Sequence, residues 1–253
     1  MGFTSTDVDI VGEGPRLDAF IAHGEGAPER SPAAILIHGF PSPTRPGPPS
    51  RTYHQLAERI ADELGWTTLA LSLRGCGESD GEFSVSGWID DVRRATDHLE
   101  ALGAAGVWLV GSTTGGSLAI LAGAADERVR GVAVAGARAD FDDWAREPKR
   151  LLDHCRTVNV IKHEDSPADF ETWASELETE RPIDRITALA DRPVLILHGE
   201  RDRQVPARDA RDLADAHGSA ELRILHGGDH RLRNDPRCVA LLLGWLERQQ
   251  VGD

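Results

Sequence analysis

Short apolar runs at 33–37, 66–72, 107–110, 129–135, 193–197 and 221–225 recur along the chain, and segments of helical period separate most of them. Runs of this length, rich in Val, Ile and Leu, read as buried strands. Between them, one segment repeats apolar residues at Leu56, Ile60 and Leu64, and another sets Trp88, Ile89, Val92, Ala95 and Leu99 on one face. Both are helix patterns. Strands that alternate with helices of this length predict parallel βαβ units, a mostly parallel sheet with helices on both faces. Helices are also expected at 207–216 and 236–249, and an opening hairpin with one wet face at 6–22.

The alternation lapses between 140 and 185. That stretch is acidic and helix-prone, carries Trp144, Phe170 and Trp173, and is broken by Pro148, Pro167 and Pro182. It reads as a helical insertion over the sheet edge. The whole chain, 1–253, fits one large α/β domain carrying it. A proline run at 41–50 cannot be regular structure, and it reads as a surface connection or, from its place after a strand, the rim of a site.

A net charge of -14 argues against a nucleic acid or an anionic membrane surface as partner. No apolar run approaches the ~20 residues of a membrane helix, and the first residues lack a signal-peptide pattern. Cys76, Cys155 and Cys238 are odd in number and widely spaced, which fits a reduced, cytoplasmic protein better than a disulfide scaffold. Oligomeric state is not legible.

The sharpest local signal follows the run at 107–110. Gly111-Ser112-Thr113-Thr114-Gly115 leads straight into a small-residue helix from Ser117. The flanking glycines allow a tight strand-to-helix turn that holds Thr113 out at its tip. Three other strand ends carry His38-Gly39-Phe40-Pro41, His198-Gly-Glu-Arg-Asp202 and Gly228-Asp229-His230. Parallel strands bring these ends to one sheet edge, where a carboxylate and an imidazole can converge on a hydroxyl. The imidazole would take the proton, and the carboxylate would hold its tautomer.

Each of these residues also has a plainer reading. Asp202 can be a turn or cap residue, His230 a surface histidine, and His38 a structural loop residue. His226 and His230 stand at i, i+4, but in a glycine-rich loop without an HExxH motif, so a metal site is not expected. Cys76 reads as a turn residue. Its loop, 74–81, lacks the lysine of a phosphate-binding loop, which leaves a nucleotide binder the weakest option.

Taken together, the four motifs, in nucleophile…Asp…His order, resemble those of the α/β-hydrolase fold family. The resemblance spans roughly 33–248 and makes 140–185 a short helical lid. It implies hydrolysis of a small carboxylic ester, thioester or related acyl substrate, with no cofactor. It assigns the nucleophile to Thr113, the base to His230 and the acid to Asp202. The oxyanion donors would be the backbone N–H groups of Phe40 and Thr114. Trp144, Phe170 and Trp173 are candidates to line an acyl pocket, or else to pack the lid down.

Thr113 departs from the family, whose usual nucleophile is serine. A β-branched residue is strained at the positive φ of such a turn and stiff about χ1. Ser112 lies one position early and is expected to point away from the tip. A threonine hydrolase, a pocket-retaining binding protein without activity, and an altered form of a serine parent all remain compatible with the sequence.

Overall fold

The computed structural model describes residues 2–25, 31–42 and 48–249. Its strands are β1 (Phe3–Ile10), β2 (Leu17–Gly24), β3 (Ala33–Ile37), β4 (Thr67–Leu71), β5 (Val107–Ser112), β6 (Val129–Ala135), β7 (Val194–Gly199) and β8 (Glu221–Leu225). They form one eight-stranded sheet in the order β1-β2-β4-β3-β5-β6-β7-β8. The β1–β2 hairpin joins β4 antiparallel, and every later pairing is parallel. This is the α/β-hydrolase fold that the motifs imply.

Period-two alternation divides the strands between two cores. Ala33, Ile35 and Ile37 face a layer with Trp88, Val92 and Leu99 of α2 (Val85–Ala101) and Leu118 and Ile120 of α3 (Thr114–Ala125). Ala34 and Leu36 face the other way, against Ile60 of α1 (His54–Leu64) and Leu242, Leu243, Trp245 and Leu246 of α9 (Pro236–Gln249). The helix α8 (Ala207–His217) adds Ala210 and Leu213 to the first layer. The helix that carries Leu56, Ile60 and Leu64 starts at His54, because Pro49–Tyr53 form a 3-10 turn in front of it.

Four short helices occupy the stretch without strands: α4 (Asp142–Arg146), α5 (Pro148–Thr157), α6 (Phe170–Thr179) and α7 (Pro182–Arg185). Pro148 and Pro182 open α5 and α7, where a missing N–H costs nothing. Leu151, Leu152, Cys155, Val160, Ile161, Trp173 and Leu177 are buried in the same layer as the strands. This helical stretch is therefore packed into the core.

Among the described residues, no helix is long and apolar enough to cross a membrane. All three cysteines are free and buried. Cys76 sits in a turn (its N–H donates to Leu73 O, 2.9 Å), and burial pushes its thiol pKa up.

Candidate active site

Thr113 stands between β5 and α3, as the N-cap residue of the helix, with φ 53° and ψ -124°. Holding a β-branched residue there costs on the order of 1–3 kcal/mol, and the surroundings enforce it. The Thr113 amide donates to Ala135 O (2.9 Å), and its carbonyl accepts from Gly116 N (3.0 Å). A β-carbon at Gly115 would collide with the backbone carbonyls of Ile37 and His38, so α3 can rise from the elbow only if that residue is glycine. Gly39 is held to glycine by the site itself, since a β-carbon there would fall on Thr113 Oγ1.

Asp202 follows β7 in a tight turn. Its Oδ1 accepts from the N–H groups of Gln204 (2.8 Å) and Val205 (3.0 Å), and its Oδ2 lies 2.8 Å from His230 Nδ1. Burial alone would raise this carboxyl, but the His230 hydrogen bond and the two amides outweigh it and hold the pKa below the usual aspartate value. The Asp202 side chain is fully buried and that of His230 is 20% exposed. The two loops are laced together, with Arg201 N donating to Gly228 O (2.8 Å) and Glu200 N to Leu225 O (3.0 Å). His198 Nε2 donates to Val205 O (3.0 Å) and braces the acid turn from below. Asp202 is thus both a turn residue and the partner of His230. His226 is exposed and pairs with Glu200 (2.8 Å).

His38 is fully buried. Its Nε2 accepts from Leu73 N (3.1 Å), so Nδ1 carries the proton and donates to Gly39 O (2.7 Å). Burial lowers its pKa to about 4, the Gly39 carbonyl opposing this and the charge of Arg233 adding to it. The imidazole is therefore neutral at pH 7. By fixing the Gly39 carbonyl it also sets the peptide plane that carries the Phe40 N–H. The Thr114 N–H is the first amide of α3, where no preceding turn of the helix supplies a carbonyl acceptor.

A cavity of about 700 Å³ opens over this edge, lined among others by Gly39, Phe40, Thr113, Thr114, Trp144 and His230. Pro41, Ser42, Pro48 and Pro49 form part of its wall, as expected of a rim, while 43–47 of the proline run lie outside the described residues. Of the three lid aromatics, Trp144 alone lines the cavity; it stacks on Phe141 and meets the Phe40 ring edge-on at 5.5 Å. Phe170 and Trp173 do not reach it, so of the two readings, lining an acyl pocket or packing, the first is corrected and the second holds for them. Trp173 is buried, its Nε1 donates to Phe83 O (3.1 Å), and Phe170 stacks on its outer face. Phe83 in turn packs against Phe40 (4.8 Å), so these residues hold the Phe40 loop from behind.

Sequence reasoning missed Tyr53, Leu151, His154, Arg231 and Arg233 as wall residues. Only the nearness of Arg231 and Arg233 to His230 hinted at a role. Ser112 points away from the tip, its Oγ 2.5 Å from the buried Tyr53 hydroxyl. The loop at 74–81 is tied down as structure: Arg74 pairs with Asp90 and the fully buried Asp91 (2.9 and 2.7 Å), and Ser79 Oγ donates to Ser72 O (2.8 Å).

Residues 34–240 match the profile of the Alpha/beta hydrolase family. Among solved structures, the α/β hydrolase GrgF from Penicillium sp. sh18 superposes with a TM-score of 0.73 at 19% identity, over 98% of this chain and 99% of that one. Est1E from Butyrivibrio proteoclasticus with bound ferulic acid gives 0.70 at 20% identity, over 96% and 98%. An esterase from Pyrococcus furiosus gives 0.70 at 17% identity, over 97% and 91%. At these identities the likeness speaks for the fold alone.

Proposed function

This chain belongs to the alpha/beta hydrolase family, and on that premise we propose that it hydrolyses a small carboxylic ester, thioester or related acyl compound through Thr113, His230 and Asp202. The observation that carries this reading is the 2.8 Å contact of His230 Nδ1 with a fully buried Asp202, on the cavity that Thr113 enters at the elbow. An ionised Asp202 keeps the imidazole proton on Nδ1 and leaves the Nε2 lone pair for the Thr113 hydroxyl. Thr113 Oγ1 attacks the carbonyl carbon while His230 takes its proton, and the carbonyl oxygen becomes an oxyanion held by the Phe40 and Thr114 amides. One such donor is worth roughly 100–1,000-fold in rate. Collapse expels the alcohol or thiol, protonated by His230, and leaves an acyl-threonine. Water, deprotonated by His230, then releases the acid and restores Thr113.

Among proteins of this fold, the Pyrococcus furiosus neighbour is an esterase and Est1E binds ferulic acid, and the proposed substrate class is in keeping with both. Trp144 and Phe40 supply an apolar wall for an acyl chain.

One observation favours a second reading, a binding protein that keeps the pocket without the chemistry. Among the described residues, no hydrogen bond joins the Thr113 hydroxyl to His230, and Oγ1 lies over Gly39. Hydrolysis of p-nitrophenyl acetate and butyrate by wild type, Thr113→Ser and Thr113→Ala separates the two. Turnover by wild type that Thr113→Ala abolishes supports the threonine nucleophile. Wild type equal to Thr113→Ala, with a large gain in Thr113→Ser, moves the function to binding.

A further inference from the structure

The cavity wall is unevenly charged. On the lid side, Arg138 pairs with Asp143 (2.9 Å) and Arg150 with Glu147 (2.9 Å), so each cation there is matched. On the opposite side, the segment after His230 contributes Arg231 and Arg233. Arg233 is half-buried, lies over the Tyr53 ring (5.3 Å) and donates to the Thr52 hydroxyl. Neither arginine has a carboxylate partner among the described residues. The Asp229 carboxylate that could have met Arg231 accepts from its backbone N–H instead (2.8 Å). In a chain of net charge -14, two unmatched guanidinium groups thus stand on the wall of one cavity, next to the imidazole of the site.

Arginine is the side chain best suited to hold a carboxylate, because its planar fork can make paired, charge-assisted hydrogen bonds. Thr52 and Tyr53 hold Arg233 in place, which reduces the entropy lost when it takes a ligand. We infer that the substrate of this site carries a carboxylate remote from the scissile bond, seated by Arg233 and Arg231. The inference rests on the ester-hydrolase reading for the bond that is cut, and on the cavity alone for the anion that is held. A carboxylate is favoured over a phosphate dianion because the chain carries a net charge of -14, which disfavours a second negative charge on the ligand. The substrate class becomes the monoester or monothioester of a dicarboxylic acid, or an ester whose alcohol part bears the carboxylate.

The test separates binding from turnover. Monomethyl adipate and methyl hexanoate share the ester and much of the chain length and differ in the terminal carboxylate. Calorimetric titration into Thr113→Ala reads binding without hydrolysis, and release of methanol by wild type reads turnover. Binding of monomethyl adipate at least about tenfold tighter than methyl hexanoate is expected, falling to parity in Arg233→Gln and weakened in Arg231→Gln, with Arg233→Lys retaining part of the preference. A rise in salt should erode it.

Thermal melts guard against misfolding, and because Arg231 is exposed, its variant reports the charge effect without disturbing the Tyr53 packing. Equal binding of the two esters by Thr113→Ala, or a preference that survives both glutamine variants, overturns the inference. So does competition by inorganic phosphate stronger than that by adipate. Arginine-dependent binding without turnover would sink the hydrolase reading and leave the carboxylate site standing. Turnover without charge preference would do the reverse.

Discussion

The Ser112 hydroxyl lies 2.5 Å from that of Tyr53, both buried beneath the elbow. The only tyrosine of the chain thereby holds the residue next to the candidate nucleophile and turns it away from the cavity tip. Removing the serine hydroxyl takes one of two partners from a buried phenol and leaves it Arg233, which costs on the order of 1 kcal/mol. Ser112→Ala should therefore lower the urea midpoint while keeping ester hydrolysis above that of Thr113→Ala. Turnover abolished by Ser112→Ala and retained by Thr113→Ala would make Ser112 the reacting hydroxyl.

Gly39 offers a way to displace Thr113 without touching it. The methyl of Gly39→Ala meets a movable side chain, Thr113 Oγ1. The fold should survive with a near-normal melting temperature, and a displacement of ~1 Å should reduce hydrolysis about 100-fold. Gly115→Ala is the contrasting case, because its methyl meets two backbone carbonyls, and it should lower stability by several kcal/mol.

Asp202 links acid stability to the site. Its pKa is held below the ordinary value, so its contribution to folding is fully present above the unfolded pKa of about 3.9. The contribution is lost as the pH falls through the lower, folded value. Asp202→Asn should be less stable than wild type at pH 7, with the gap closing below about pH 4 in pH-dependent denaturation curves. The same variant should lower hydrolysis about 100- to 10,000-fold, since the amide no longer sets the His230 tautomer.

His38 works in the opposite sense. With its folded pKa lowered to about 4, only the unfolded chain takes up its proton between about pH 6.5 and 4. Stability contributed by His38 is therefore present above pH 6.5 and lost as the pH falls toward 4, by about 3 kcal/mol. His38→Gln should flatten that part of the pH–stability curve. It should also slow ester hydrolysis by roughly tenfold or more, because the peptide bearing the Phe40 amide loses its brace.

Much of this was legible from residue order. The buried runs and the glycines of 111–115 predicted the parallel sheet and the elbow, because period and backbone freedom are local properties. Asp202 and His230 were legible because each follows a strand end, and parallel strands leave no other place for those ends to go. The sequence leaves Phe170 and Trp173 between pocket and packing, because an aromatic residue on such a helix has the same local pattern whether it faces a cavity or a core. Tyr53, Arg231 and Arg233 were passed over for a related reason. Tyr53 ends a proline-led 3-10 turn, Arg231 and Arg233 cap and enter a second one at Leu232–Asn234, and only the third dimension puts all three on one wall.

The Trp173 indole N–H on the Phe83 carbonyl has a dynamic consequence. Phe83 touches both Trp88 of α2 and the Phe40 loop, so freeing α6 would expose core surface and loosen the peptide beside the elbow together. Backbone amides of α6 should then exchange with deuterium through the same global opening as those of the central strands. The peptide that carries the Phe40 amide would then stay in place for as long as the core itself stays closed.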